Sequence, residues 1–366
     1  MASQSCLVVD VSVLSQLNNL LLVYDLEVGG GASLIRIYMT KADKWLSRYG
    51  MESMNIPFTA GKVFYVFNST DAAYQDFRAL HPGDQGGEER VFTSLLAAYN
   101  ACVSNRGDII VLNNQGSHVL ATALAFEKSR IQVIGLGGDG RLLQQGARIE
   151  NTDGTAAVYV VKNTGTRNSF KNIKFIQVDD DATSLTVFQE AGEGTYFKNC
   201  SFVFQVADNL DQTDAYEFVM GGDSVTMLEC TFGNDTLETS GARAIFAFDK
   251  LMSDSPKSNY IKDCFFNVNS SKATAHFIRV LSNADLKFSN TFIDCTFMCA
   301  ITASMSTAVL TETVENEVQA GEGNMMFVRP ATNTTDFSTA TNANTNIVVV
   351  AAVSAAAAIE AITPTA

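Results

Sequence analysis

The hydrophobic pattern of the chain is dominated by a short unit that returns five times. It reads Phe170-Lys171-Asn172-Ile173-Lys174-Phe175, then Phe197-Lys198-Asn199-Cys200-Ser201-Phe202. It continues as Met227 to Phe232, Ile261 to Phe266 and Phe292 to Phe297. The central position, held by Ile173, Cys200, Cys230, Cys264 and Cys295, advances in steps of 27, 30, 34 and 31 residues. A fixed local pattern separated by variable gaps describes stacked coils whose loops differ in length. Inside the unit, Cys200, Phe202 and Phe204 alternate with Ser201 and Val203. A period of two means strand rather than helix.

The residue before the central position is Asn172, Asn199, Glu229, Asp263 or Asp294. Asn and Asp tolerate left-handed backbone, so this position suits a sharp corner. A corner there also lets Phe197 and Cys200 both point inward. Leucine-rich, helical and propeller repeats differ in length or period. The pattern therefore predicts a mainly β chain, a parallel β-helix of roughly 30 residues per coil and about seven coils. Neighbouring strands would lie ~4.8 Å apart, so equivalent side chains form interior columns. Phe175, Phe202, Phe232, Phe266 and Phe297 make one, and Ile173 with the four cysteines makes another.

The coil is expected over residues 107–330, with first strands at Asp108–Leu112 and Ile131–Gly137. A lead-in over 61–106 contains a strand at Lys62–Phe67 and an amphipathic helix across Arg90–Val103, with Thr93 or Ser94 near its N-cap. That helix covers an end coil whose backbone edge would otherwise face water. Residues 1–60 read as an attachment or capping module. It has strands at Leu20–Leu26 and Leu34–Tyr38 and a short helix from Thr40 to Gly50. Within residues 331–366, residues 331–346 read as a Thr/Asn/Ala-rich linker or surface-laid strand, and within 347–366 an apolar C-terminal arm, Ile347–Ile362, is suited to docking on another subunit.

Composition changes the picture in three places. Lys and Arg total 25 against 39 Asp and Glu, a net charge of −14, which argues against nucleic acid or an anionic membrane as partner. The N-terminus lacks the basic start of a secretory leader, and no apolar run suggests a membrane span. A chain made in a cytoplasm is the default expectation, and its seven cysteines are then read as free thiols. Zinc ligands usually come in pairs a few residues apart, and only Cys295 and Cys299 are so placed. The cysteine column is therefore read as small buried hydrophobes.

Several segments together resemble the pectin-lyase-like right-handed β-helices. They are Gly61 to Val66, Arg90-Val91-Phe92 with its helix, Gly107 to Val111, Val133 to Gly137, and the closing stretch Met325 to Pro330. More narrowly, they are similar to the β-helix proteins of tailed-phage virions, which serve as capsid decorations or tail appendages. The resemblance covers residues 61–330. It implies a homotrimer on the particle surface, in contact with other virion proteins such as the major capsid protein.

β-Helices also carry polysaccharide lyases and hydrolases, and stacked acids could supply the paired carboxylates of glycoside hydrolysis. Candidates are Asp179, Asp180 and Asp181, Glu190 and Glu193, and Asp208, Asp211 and Asp214. Asn151-Thr152-Asp153-Gly154 matches one short element of the polygalacturonases. Their Gly-His-Gly and Arg-Ile-Lys elements are missing, and the only histidines are His81, His118 and His276. The Asp179–Asp181 run reads as a solvated loop, and its spacing is not that of an EF-hand. His276, placed by alternation on one face with Ile278 and Val280, reads as a core histidine. The glycine-rich run Gly135 to Gly140 lacks the βαβ context of a dinucleotide site. No catalytic, cofactor or metal site is therefore expected. The chain is read as a non-enzymatic structural protein decorating a phage capsid; the alternative is a tail-associated spike that binds or cleaves host polysaccharide.

Overall fold

The computed structural model describes residues 61–350 except 69, 81–88, 138–143, 207–210, 251–255, 282–285, 302–304, 306, 312–322, 335 and 340–345. The chain divides into two compact units, residues 60–74 with 83–366, and residues 1–59 with 75–82. The expected N-terminal module, His81, Asp208, Gly138–Gly140 and the arm beyond Val350 lie outside the described residues.

The larger unit is a parallel β-solenoid with three sheets, and it fits a right-handed parallel β-helix. Among the described residues the first sheet has 11 strands, the second nine and the third eight. One coil shows the plan: Tyr196–Lys198 in the first sheet, Ser201–Phe204 in the second, Tyr216–Met220 in the third. Within residues 107–330 the first sheet climbs from Ile109–Leu112 to Gly323–Val328 in seven steps, matching the expected coil number. Every pairing is parallel and in register with the sequence repeat, so Phe175, Phe202, Phe232, Phe266 and Phe297 are successive Cα partners. Their rings stack at centroid distances of 5.3, 5.3, 4.8 and 4.6 Å. A second column on the third sheet, Phe188, Phe218 and Phe246, stacks at 5.5 and 5.3 Å. It meets the first edge-to-face, as between Phe202 and Phe218 at 4.9 Å. Offset-stacked and T-shaped contacts are the favourable ring geometries, and these rings are fully buried.

The corner between the first and second sheets is the expected one. Asn172, Asn199, Glu229, Asp263 and Asp294 have φ of 57°, 51°, 57°, 53° and 53°. The cysteine that follows four of these corners has a further role. Cys200, Cys230, Cys264 and Cys295 each direct Sγ at the carbonyl two residues back, across the bend, at 3.6, 3.4, 3.3 and 3.5 Å. A thiol is small enough for the column and supplies a weak donor to a carbonyl at the bend. A second left-handed column, Arg130, Arg167, Gly194, Ser224 and Ser258, turns the chain from the third sheet back to the first. Of these only Gly194 carries a sequence preference for that backbone.

The helix is Leu95–Ala101, with Ser94 as N-cap accepting from the Ala97 amide at 3.4 Å. Leu95, Ala98 and Tyr99 join the solenoid core. Tyr99 Oη also accepts from the Glu127 and Lys128 amides, tying the helix to the first coil. A further helix, Ala73–Leu80, was not anticipated.

The structure sharpens three expectations. Of the linker or surface-laid strand read over residues 331–346, strand is what forms: Ala331–Thr332 and Asp336–Thr339 extend the second and third sheets, and Asn346–Val350 pairs with Gly323–Val328 in the first. The first two are two and four residues long, too short to show a period of two. At the other end, Val63–Val66 already pairs with Ile109–Leu112, so the first sheet begins inside the lead-in. His276 is buried but does not share a face with Ile278. Phe277 and Ile278 are both in the core, which breaks the alternation. His276 instead aligns with Ala244, whose cluster with Tyr216, Val219 and Ala247 is separate from that core.

Candidate functional site

The acidic residues singled out in the sequence separate into three environments. The first is the turn after the second sheet. Asp179 is fully buried. Its Oδ1 accepts from the Gly154 and Asp181 amides, and its Oδ2 from Thr155, Ala157 and Ser184. Burial works to raise this carboxyl, but the donors from Asp181, Ser184, Thr155 and Ala157 outweigh it and hold it down at about 2. The reading of the whole run as a solvated loop is thus wrong for Asp179. The run Asn151–Gly154 serves the same stitching, because Asn151 Oδ1 accepts from the Val178 amide at 2.9 Å. Ligand atoms of Asp153, Asp179 and Asp180 lie within 4.8 Å of one another, the one such cluster among the described residues. Five N–H and O–H groups already point at the central carboxylate, so the cluster has little capacity left for a cation.

The second environment is the interior. Glu190 accepts from Asn163 Nδ2 at 2.9 and 3.0 Å, from the Gly192 amide at 2.7 Å and from Thr195 Oγ1 at 3.1 Å. Burial pushes its carboxyl up to about 8, with those donors only partly opposing. Glu217, which the sequence reading passed over, is also buried and pairs with Arg243. Burial raises it to about 6 against the opposing pull of Arg243. The Arg243 guanidinium lies 5.3 Å from the Phe204 ring centroid. A general acid or base must reach its substrate; with no exposed atoms to present, these two carboxyls act on the fold. The one available signal for Glu217 was a charge inside the apolar run Tyr216–Met220.

The third environment is the outer surface. Glu193 bridges to Asp223 in a corner pairing. Asp211 accepts from the Ser240 amide at 2.7 Å. Asp214 stands largely exposed, 3.6 Å from Arg279. The structure does not bring these acids together.

A groove of about 300 Å³ crosses the outside of the second sheet. Because Phe175 and Phe202 point inward, Lys174, Ile176 and Val203 must point outward. Arg148, Lys174, Gln205 and Thr236 supply its polar groups, and Ile176, Val203 and Leu237 its apolar floor. These residues come from four successive coils, so the groove runs ~14 Å along the solenoid axis at the ~4.8 Å spacing of parallel strands. Asn234 shapes one wall, accepting from the Thr236 and Leu237 amides and donating to the Phe204 carbonyl at 3.2 Å. At the other end Arg148 and Lys174 are direct neighbours in register. Burial lowers the Lys174 ammonium, and Arg148 beside it lowers it further. No acidic group among the described residues pairs with either.

No protein-family model matches the chain, and no curated protein matches it in sequence. Among solved structures it is similar to pectin methylesterase PemA from Erwinia chrysanthemi, at 11% identity over 78% of this chain and 92% of that one, TM-score 0.42. It is similar to pectate lyase Pel9A, at 12% identity over 80% of each chain, TM-score 0.44. It is also similar to the Dettilon tailspike protein, at 12% identity over 74% of this chain and 50% of that one, TM-score 0.41. These likenesses reach no further than the fold. They nevertheless correct the expectation of a non-enzymatic chain, since pectin methylesterases and a pectate lyase, which are enzymes, stand among its structural neighbours. What is shown is a β-helix of the architecture found in polysaccharide-acting enzymes and in a tailspike.

Proposed function

We propose that the chain is a tail-associated spike protein of a bacteriophage that binds or cleaves a host polysaccharide. The observation that carries this reading is the groove on the second sheet. It is elongated along the axis, with an apolar floor for sugar faces and amide, hydroxyl and cationic groups at its edges. Concave sites that combine apolar surface with a few placed polar groups are the usual form of a ligand site. The rigid stacked core would hold those groups in fixed register. On this reading the spike sits on the particle surface as a homotrimer and meets other virion proteins through its terminal segments. The capsid-decoration role has no described residue in its favour.

The test is to incubate the purified chain with a panel of bacterial capsular polysaccharides and lipopolysaccharides. Binding is read by calorimetry, and cleavage by new reducing or unsaturated ends. At least one glycan should bind, and Gln205→Ala with Thr236→Ala should weaken it. Absence of both binding and new ends across the panel would overturn the reading.

A further inference from the structure

The two ends of the groove differ in charge. At one end Gln205 and Thr236 are neutral. At the other, Arg148 and Lys174 stand on neighbouring coils in direct register, ~4.8 Å apart in backbone. Parallel stacking places like side chains beside one another, and here it places two cations together. In a chain of net charge −14, acidic groups are the commoner neighbours, yet none among the described residues pairs with either cation. Lys174 is half-buried, so its charge is only partly relieved by water, and the like charge of Arg148 adds to the cost. An anion seated between the two would relieve both terms. The guanidinium offers a planar fork for carboxylate or phosphate oxygens, and the ammonium a compact second charge. Beyond them the floor is apolar, which a free inorganic ion would not use but a sugar ring would.

We infer that this end of the groove takes an acidic substituent, a carboxylate or a phosphate, of a saccharide whose rings lie along Ile176, Val203 and Leu237. The inference rests on the polysaccharide reading and adds the class of sugar and the residues that select it. Arg148 and Lys174 are specificity-determining contacts: they choose acidic over neutral glycans, while Gln205 and Thr236 serve both.

A panel of oligosaccharides arrayed in pairs tests this with the full chain. Each carboxylated glycan stands beside its carboxyl-reduced form, and each phosphorylated glycan beside its dephosphorylated form. The acidic member of a bound pair should bind at least tenfold more tightly. That preference should fall as salt is raised, and it should vanish in Arg148→Gln/Lys174→Gln. Gln205→Ala should weaken both members alike. A second readout is the rate of reductive methylation at Lys174, followed by mass spectrometry, which the acidic member should slow and its neutral partner should not. Which pair binds separates carboxylate from phosphate. Equal binding of acidic and neutral members, or a preference unchanged in the double variant, would overturn the inference and leave the polysaccharide reading standing. Failure of every glycan on the panel to bind would overturn both.

Discussion

The second and third sheets line the same interior and solve it differently. The second sheet repeats one side chain: its inward row is Phe175, Phe202, Phe232, Phe266 and Phe297, each stacked on the next. The third sheet mixes chemistry. The registers on either side of Glu217 place it opposite Val187 and Ile245, both core residues, while Glu190 lies between Asn163 and Met220. A repeated apolar column gains stability from each added ring, since each coil contacts only its neighbours. A buried carboxyl gains it only through partners, and its contribution changes with pH. One sheet thus supplies stiffness that is indifferent to conditions. The other carries charges whose balance depends on them.

The comparison breaks most severely if the repeating column is interrupted. Phe202→Ala should cost about 3–5 kcal/mol, read as a fall in the urea midpoint at any pH between 5 and 9. A loss that varies strongly over that range would mean that the column is coupled to the buried charges. On the third sheet, Arg243→Met removes the partner of a buried carboxylate, an effect of about 3–5 kcal/mol when the charge must remain. Because burial already raises Glu217 to about 6, the loss should be largest above that pH and shrink below it as the carboxyl takes a proton. Adding Glu217→Leu should recover most of the loss; no recovery would show that Arg243 acts through packing on Phe204 rather than through charge.

Glu190 sharpens the contrast with a definite sign. Its folded value of about 8 lies above the ordinary carboxyl range, so the folded chain holds a proton that the unfolded chain releases. Its contribution is full below about pH 4.5 and is lost as pH rises toward 8. Glu190→Gln should flatten this slope and make the variant the more stable form at pH 8–9 in thermal scans. Asp179 runs the other way: held at about 2, it stabilises above the ordinary carboxyl range and loses that contribution as the pH falls toward 2. The smallest effect belongs to the corner. Asn199→Ala keeps a β-carbon at φ of 51° but loses the polar side chain that makes left-handed backbone tolerable, and should cost about 1 kcal/mol, whereas Asn199→Gly should stay close to the parent. Equal losses would assign the Asn199 role to its hydrogen bond with Asn172.

The parts of the molecule that repeat were legible in sequence. The Phe column, the cysteine column, and the corners at Asn172, Asn199, Asp263 and Asp294 each carry a residue preference that recurs at every coil. Glu229 fills the same corner with no such preference and was placed only by its neighbours. The return corner at Arg130, Arg167, Gly194, Ser224 and Ser258 has no shared chemistry, and its single glycine makes no repeating signal. The stretch after Pro330 reads only as linker or surface-laid strand, because two- and four-residue strands are shorter than a period of two can reveal. The groove lay deeper still. Arg148 and Lys174 are separated by a step of 26 residues, and they become neighbours only when the coil register is known. Acids such as Asp179 and Glu190 drew notice because carboxylates are chemically suggestive, but the backbone turned them inward to hydrogen-bond donors.

The thiols at the corners have one more consequence. Each of four consecutive coils holds a single buried sulfur there, at Cys200, Cys230, Cys264 and Cys295, and every one is a latent alkylation site silenced only by the coil around it. The chain therefore has its own coil-by-coil clock. Pulsed labelling during slow denaturation, with the modified peptides weighed, would give the order in which coils open. It would show whether the solenoid peels from an end, like a zip, or parts in the middle.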